Sequence, residues 1–203
     1  MFITKIKLAN LITYIGVMSA VMAIILSYDK NIKWAFICFI IAGVCDMLDG
    51  KFARLFERTE REKNIGIQMD SLCDVVSFLI VPVVLGISMG MNKWYNIIIC
   101  LIYVASGVTR LGFFNVFADE NKDNGPITVY PGVAVTYSSI VFPLAYLLKY
   151  VVSNKVFKIV YTLIMLVSSV LFLLNIKVSK PKGIAYVGLF ILAVITISLI
   201  IIL

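Results

Sequence analysis

Histidine is absent from this 203-residue chain. That removes Ser-His-Asp and Cys-His catalysis, His-ligated zinc and His-Lys-Asp phosphodiesterase chemistry in one step. Charge is scarce too: 14% of residues are charged and 62% hydrophobic, where soluble domains carry about 25% charged residues. With a mean hydropathy of +1.03, the chain lacks the polar side chains to cover a water-facing surface, which excludes an ordinary soluble domain and a disordered tail. Its four cysteines, Cys38, Cys45, Cys73 and Cys100, stand singly in apolar stretches without CxxC spacing. A disulfide scaffold, a dithiol redox pair and a thiolate zinc site are thereby set aside, and the thiols read as small buried hydrophobes.

Long apolar runs are what the chain has instead, at 8–27, 33–53, 70–90, 94–117, 131–152, 156–176 and 184–203. A span needs about 20 apolar residues, and backbone groups in lipid must be paired internally, which permits helices or closed barrels. Barrel strands alternate polar and apolar residues. Ile184–Leu203 does not, so the expected fold is an all-α polytopic bundle of about seven transmembrane helices, within a range of six to eight. Residues 1–203 show neither linker nor internal repeat and read as a single domain. The first run is too long for a signal-peptide core.

The net charge of +7 fits anionic lipid in a chain this apolar and carries no expectation of nucleic acid. Placing the N-terminus inside puts Lys5, Lys7, Arg54, Arg58, Arg61, Lys63, Lys122, Lys177, Lys180 and Lys182 in the cytoplasm. Lys30, Lys33, Lys93, Lys149, Lys155 and Lys158 then fall outside, and the larger group being inside sets the expected orientation. Trp34 and Trp94 begin runs beside lysine, as interface anchors do.

Seven of the eleven acidic residues occupy loops. The other four, Asp46, Asp49, Asp70 and Asp74, fall inside or at the mouths of the second and third runs. An aspartate at a span centre costs about 2.5–3.5 kcal/mol, so four require a compensating partner. Asp46 and Asp49 are spaced i,i+3, and Asp70 and Asp74 i,i+4, so each pair shares a helix face. The intervening loop lets the two faces oppose each other. Four converging carboxylates repel unless divalent cations lie between them, and all-oxygen ligation favours Mg²⁺ or Mn²⁺. Two other readings use the same residues: interhelical pairing with Lys51, Arg54 or Arg58, and an ion-coupled transporter, which also employs intramembrane carboxylates.

The run Asp46-Met-Leu-Asp49-Gly50-Lys-Phe-Ala53-Arg54, followed by Gly66-Ile-Gln-Met-Asp70-Ser-Leu-Cys-Asp74, resembles the signature of the CDP-alcohol phosphotransferase family, D-x2-D-G-x2-A-R … G-x3-D-x3-D. Every signature position is filled. Eleven residues separate Arg54 from Gly66, more than the family pattern usually has, and the extra ones are expected in a charged loop, Glu57–Lys63. The resemblance implies transfer of the phosphatidyl group from a CDP-linked lipid to an alcohol, with release of CMP. It implies that Asp46, Asp49 and Asp70 ligate two divalent ions, and that Asp74 is a further ligand or neighbour serving as general base. Gly50, Ala53, Arg54 and Gly66 are the implied contacts to the CDP-lipid, with Gly66 expected to open the third helix. Asn10 and Thr13 resemble an Asn-x2-Thr element of the same family.

Within the family the likeness tilts toward bacterial and archaeal phosphatidylserine synthases. Asp70-Ser-Leu-Cys-Asp74-Val-Val-Ser77-Phe78 resembles their DS-x2-D-x-VSF run. Arg110-Leu-Gly-Phe-Phe-Asn115-Val resembles RLARFNV, with Phe113 where a second Arg is usual. The implied substrates are CDP-diacylglycerol and L-serine in a cell membrane, with the active site facing the cytoplasm. Glycerol 3-phosphate or inositol phosphate are the alternative acceptors, and a homodimer is compatible with the family. Arg110, an intramembrane cation, is the expected acceptor contact, with a lipid phosphate or an aspartate as the alternative partner, and Ser77 and Asn115 as its neighbours.

Overall fold

A computed structural model of the protein describes residues 10–53, 55–120, 129–179 and 184–203, with backbone alone at 129–131, 177–179 and 184. Among these residues eight α-helices run in chain order: α1 (Leu11–Tyr28), α2 (Ile32–Ala53), α3 (Glu60–Asp74), α4 (Val81–Ser88), α5 (Trp94–Glu120), α6 (Ser138–Leu147), α7 (Asn154–Leu173) and α8 (Ile184–Ile202). A six-residue π-helical segment, Val75–Ile80, joins α3 to α4 without a break. Two three-residue strands, β1 (Val129–Pro131) and β2 (Lys177–Ser179), pair antiparallel in the register Val129↔Ser179, Tyr130↔Val178 and Pro131↔Lys177. The protein is an all-α polytopic membrane protein to which this short ribbon is a local addition.

Among the described residues, five stretches are long and apolar enough to cross a membrane: Leu11–Tyr28, Glu60–Ser88, Trp94–Glu120, Asn154–Leu173 and Ala185–Ile202. Two of the seven runs read from sequence fall short of that measure. Helix α2 has the length but carries Lys33, Asp46, Asp49 and Lys51. The 131–152 run opens as strand and a 3-10 turn, and its α6 is only ten residues long.

The third element begins ten residues before the expected run. Thr59 accepts from the Glu62 N–H, and the Glu62 carboxylate accepts from the Thr59 N–H at 2.9 Å, which forms a capping box. Glu60–Lys63 are therefore the first turn of α3 and not part of a loop. Gly66 lies inside the helix rather than opening it, so it offers no free helix-end N–H groups.

Pro82 explains the π segment. It has no N–H to give the Phe78 carbonyl, and Val81 N–H bonds Val76 O, five residues back. The Tyr103 hydroxyl, fully buried, donates to Phe78 O at 2.8 Å, and Tyr161 donates to Pro82 O at 2.9 Å. Two tyrosines from α5 and α7 thus satisfy backbone oxygens in the interior, as a lipid setting demands.

Small residues set the close crossings. A Cβ on Gly16 of α1 would lie 3.1 Å from Cys45 Cβ on α2, and one on Gly43 of α2 would overlap Ser139 of α6. These crossings bring α2, α3, α5 and the start of α6 around one end of the bundle. At the other end, Lys33 lies 5.8 Å over the Tyr150 ring, and Thr162 bonds Asn96 at 3.2 Å.

Candidate active site

Asp46 and Asp49 stand one turn apart on α2, and Asp70 and Asp74 one turn apart at the end of α3. One carboxylate oxygen from each of Asp46, Asp49 and Asp70 lies within 4.8 Å of the others. Asp46 and Asp74 are within side-chain hydrogen-bond reach of each other, and so are Asp49 and Asp70. The two helix faces therefore meet as their spacing requires. Thr13 of α1 donates to Asp49 Oδ2 at 3.1 Å and fixes that carboxylate. Asn10, three residues earlier, reaches Met69 Sδ at 3.6 Å, beside Asp70.

All four acids line one cavity of about 330 Å³ between α2, α3, α5, the 3-10 turn Val135–Tyr137, α6 and α8. Arg110 reaches it from α5, and Lys51 from α2. Of the basic partners considered for the acids, Lys51 Nζ sits 4.0 Å over the Tyr186 ring, and Arg58 lies beside Gly66, its Nη1 3.2 Å from where a Cβ there would be. The third, Arg54, lies outside the described residues. What the cluster has in quantity is anionic oxygen at short range, a donor set matched to hard divalent cations.

The family profile of CDP-alcohol phosphatidyltransferase matches residues 6–200. The chain belongs to this family. It is 34% identical over 135 residues to the archaetidylserine synthase of Methanothermobacter thermautotrophicus, covering 66% of this chain and 57% of that protein. It is 38% identical over 79 residues to the CDP-diacylglycerol–serine O-phosphatidyltransferase of Saccharomyces cerevisiae, covering 38% of this chain and 28% of that protein. A Helicobacter pylori protein of the same name is 27% identical over 199 residues, 94% of this chain and 80% of its own. The chain thus spans little more than half of the archaeal relative and about a quarter of the yeast one.

The remaining signature positions divide. Gly50 lines the cavity, and a Cβ there would meet no heavy atom within 4 Å, so helix packing does not account for it. Ala53 is buried and Gly66 packs beside Arg58 and Asn10; neither is among the cavity's lining residues. Ser77 is buried and lines a second, small void behind the acids. Asn115 clasps Ser71 of α3 through its amide at 2.9 Å rather than lining the cavity.

Arg110 is buried, its Nε donating to Val133 O at 3.1 Å and its guanidinium lying 5.0 Å over the Phe114 ring. Thr136, Tyr137 and Ser139 also line the cavity, none of them among the site residues expected from the sequence. Tyr186 is a similar case, reached only because α8 packs on α2.

Proposed function

We propose that the chain transfers a phosphatidyl group from CDP-diacylglycerol to L-serine, releasing CMP and forming phosphatidylserine, as one domain over residues 1–203. The observation that carries this reading is the convergence of Asp46, Asp49 and Asp70 within 4.8 Å on a cavity they share with Asp74 and Arg110. Relatives named for serine transfer support it. The acids suit Mg²⁺ or Mn²⁺, held by Asp46, Asp49 and Asp70 with Asp74 alongside. Divalent ions bound there would neutralise charge on a pyrophosphate during phosphoryl transfer.

This chain's own groups do the rest. Asp74 takes the proton from the serine hydroxyl as its oxygen bonds to the lipid-bearing phosphorus, while the phosphorus–oxygen bond to CMP breaks. Gly50 allows the nucleotide or pyrophosphate to approach the α2 backbone, and Arg54 is proposed as a further phosphate contact. Arg110 receives the serine carboxylate, for which a guanidinium is the best-shaped partner. Thr13 keeps Asp49 turned toward the cavity. The site faces the cytoplasm on the distribution of lysine and arginine.

Lys51 favours a second reading of the acceptor. A second cation on the wall of the same cavity would suit a phosphate-bearing alcohol such as glycerol 3-phosphate or an inositol phosphate.

Chelation tests the metal assignment. Activity should vanish in excess EDTA and return with Mg²⁺ or Mn²⁺. Full turnover in EDTA would contradict it and turn attention to ion transport, measured as ion flux in proteoliposomes.

A further inference from the structure

We infer that Gly132 and Phe114 are positioning residues for Arg110, so that the link between α7 and α8 helps to set the acceptor pocket. The inference rests on the reading of Arg110 as the acceptor contact and concerns how that side chain is held in place.

An arginine deep in an apolar helix must be anchored, because a mobile guanidinium would sample orientations that waste its charge. Arg110 is anchored on two sides. Its Nε donates to Val133 O at 3.1 Å. Phe114, one turn further along α5, lies beneath the guanidinium at 5.0 Å, a cation–π distance. With Nε bound and Phe114 beside it, the guanidinium is held on two sides in the wall of the cavity that Arg110 lines.

Gly132 is what permits the first anchor. It is buried and its φ is +80°, a backbone conformation that side-chain-bearing residues rarely adopt. That turn follows β1 directly and brings the next carbonyl, Val133 O, to Nε. A Cβ on Gly132 would lie 3.3 Å from Arg110 Nε, 3.5 Å from its Cδ and 3.2 Å from Leu174 O. The Gly132 N–H also donates to Ile176 O at 2.7 Å. Leu174 and Ile176 belong to the segment between α7 and β2, so the glycine is pinned between that segment and the arginine. Any added atom must push one or the other.

The test is steady-state CMP release by the full chain, with the acceptor and CDP-diacylglycerol varied separately. The variants are Gly132→Ala, Gly132→Asn, Phe114→Leu, Arg110→Lys and the double variants with Arg110→Lys. Asn tolerates a positive φ better than Ala, so the two glycine variants share the added Cβ but differ in backbone strain. Each Gly132 variant and Phe114→Leu should raise the acceptor KM about tenfold, the scale of losing one desolvated cation–π or hydrogen-bonded anchor. The KM for CDP-diacylglycerol should stay within about twofold by the same reasoning. In the Arg110→Lys background, which lacks Nε and the planar fork, the same changes should add little, the signature of residues acting through one partner.

A wild-type acceptor KM in folded Gly132 variants and in Phe114→Leu overturns the inference, as does full additivity with Arg110→Lys. Should the Gly132 variants fail to fold, the half-buried Phe114→Leu and its cycle decide the matter. If Arg110→Lys itself leaves the acceptor KM unchanged, the reading of Arg110 as acceptor contact fails. If Arg110→Lys raises it and the other variants do not, the positioning inference alone fails.

Discussion

Asp74 differs from the other three acids in its surroundings. It lines the same cavity and is within reach of Asp46, but lies outside the group of three acids whose oxygens converge within 4.8 Å. A carboxylate beside a cation site can accept a proton that a ligand committed to the cations cannot. Asp74→Asn should therefore lower turnover by about 100-fold or more, the usual worth of a general base. CDP-lipid binding should survive better than in Asp46→Asn; near-normal turnover would remove Asp74 from that role. Gly50→Val should raise the KM for CDP-lipid about tenfold, a steric cost of 1–2 kcal/mol in binding. Thermal stability should be unchanged, since among the described residues a Cβ there meets no heavy atom of another element within 4 Å. An unchanged KM would show that nothing approaches α2 at that point. The acids and Gly50 were legible in the sequence because helical spacing alone puts them on shared faces. Thr13 was legible only as half of a short element, and its bond to Asp49 depends on how α1 crosses α2. Lys51 over Tyr186 and Gly132 against Arg110 were not legible, because each joins elements far apart in the chain.

At the scale of elements, the least expected feature is the continuous rod from α3 through the π segment to α4. Its start carried a signal in the sequence: Thr59 and Glu62 have the spacing of a capping box, although the charge of Glu60–Lys63 made the stretch look like a loop. Its centre carried one as well, since Pro82 must release the Phe78 carbonyl. Which group would take that carbonyl could not be read from sequence, because Tyr103 arrives from another helix. Tyr103→Phe leaves Phe78 O without this donor and should destabilise the protein by about 1–3 kcal/mol, seen as a lower thermal midpoint in detergent. An unchanged midpoint would mean that the oxygen has another donor. In the 131–152 run, apolar composition does not reveal the turn at Gly132, where φ is positive, so α6 begins only at Ser138.

Over the whole molecule, the acids, Arg110, Gly132 and Tyr186 gather around one end of the helix bundle, and the short turns after α1, α4 and α6 belong to the other. Exposed Leu, Ile, Val and Phe side chains cover much of α7 and α8, which fits a lipid-facing exterior. A membrane fold was legible from composition, since no arrangement of so few polar residues could face water. The five helices that meet the length and hydropathy measure are fewer than the seven runs because the site itself puts charge into α2, and because the loop that holds Arg110 shortens α6. The decisive measurement is CMP release by the purified chain from CDP-diacylglycerol with Mg²⁺, compared across L-serine, glycerol 3-phosphate, inositol phosphate and no acceptor. Release should depend on L-serine and exceed that with either phosphorylated alcohol. Release that ignores serine and responds to glycerol 3-phosphate or inositol phosphate would contradict the acceptor assignment, and no release with any acceptor would contradict the transferase itself.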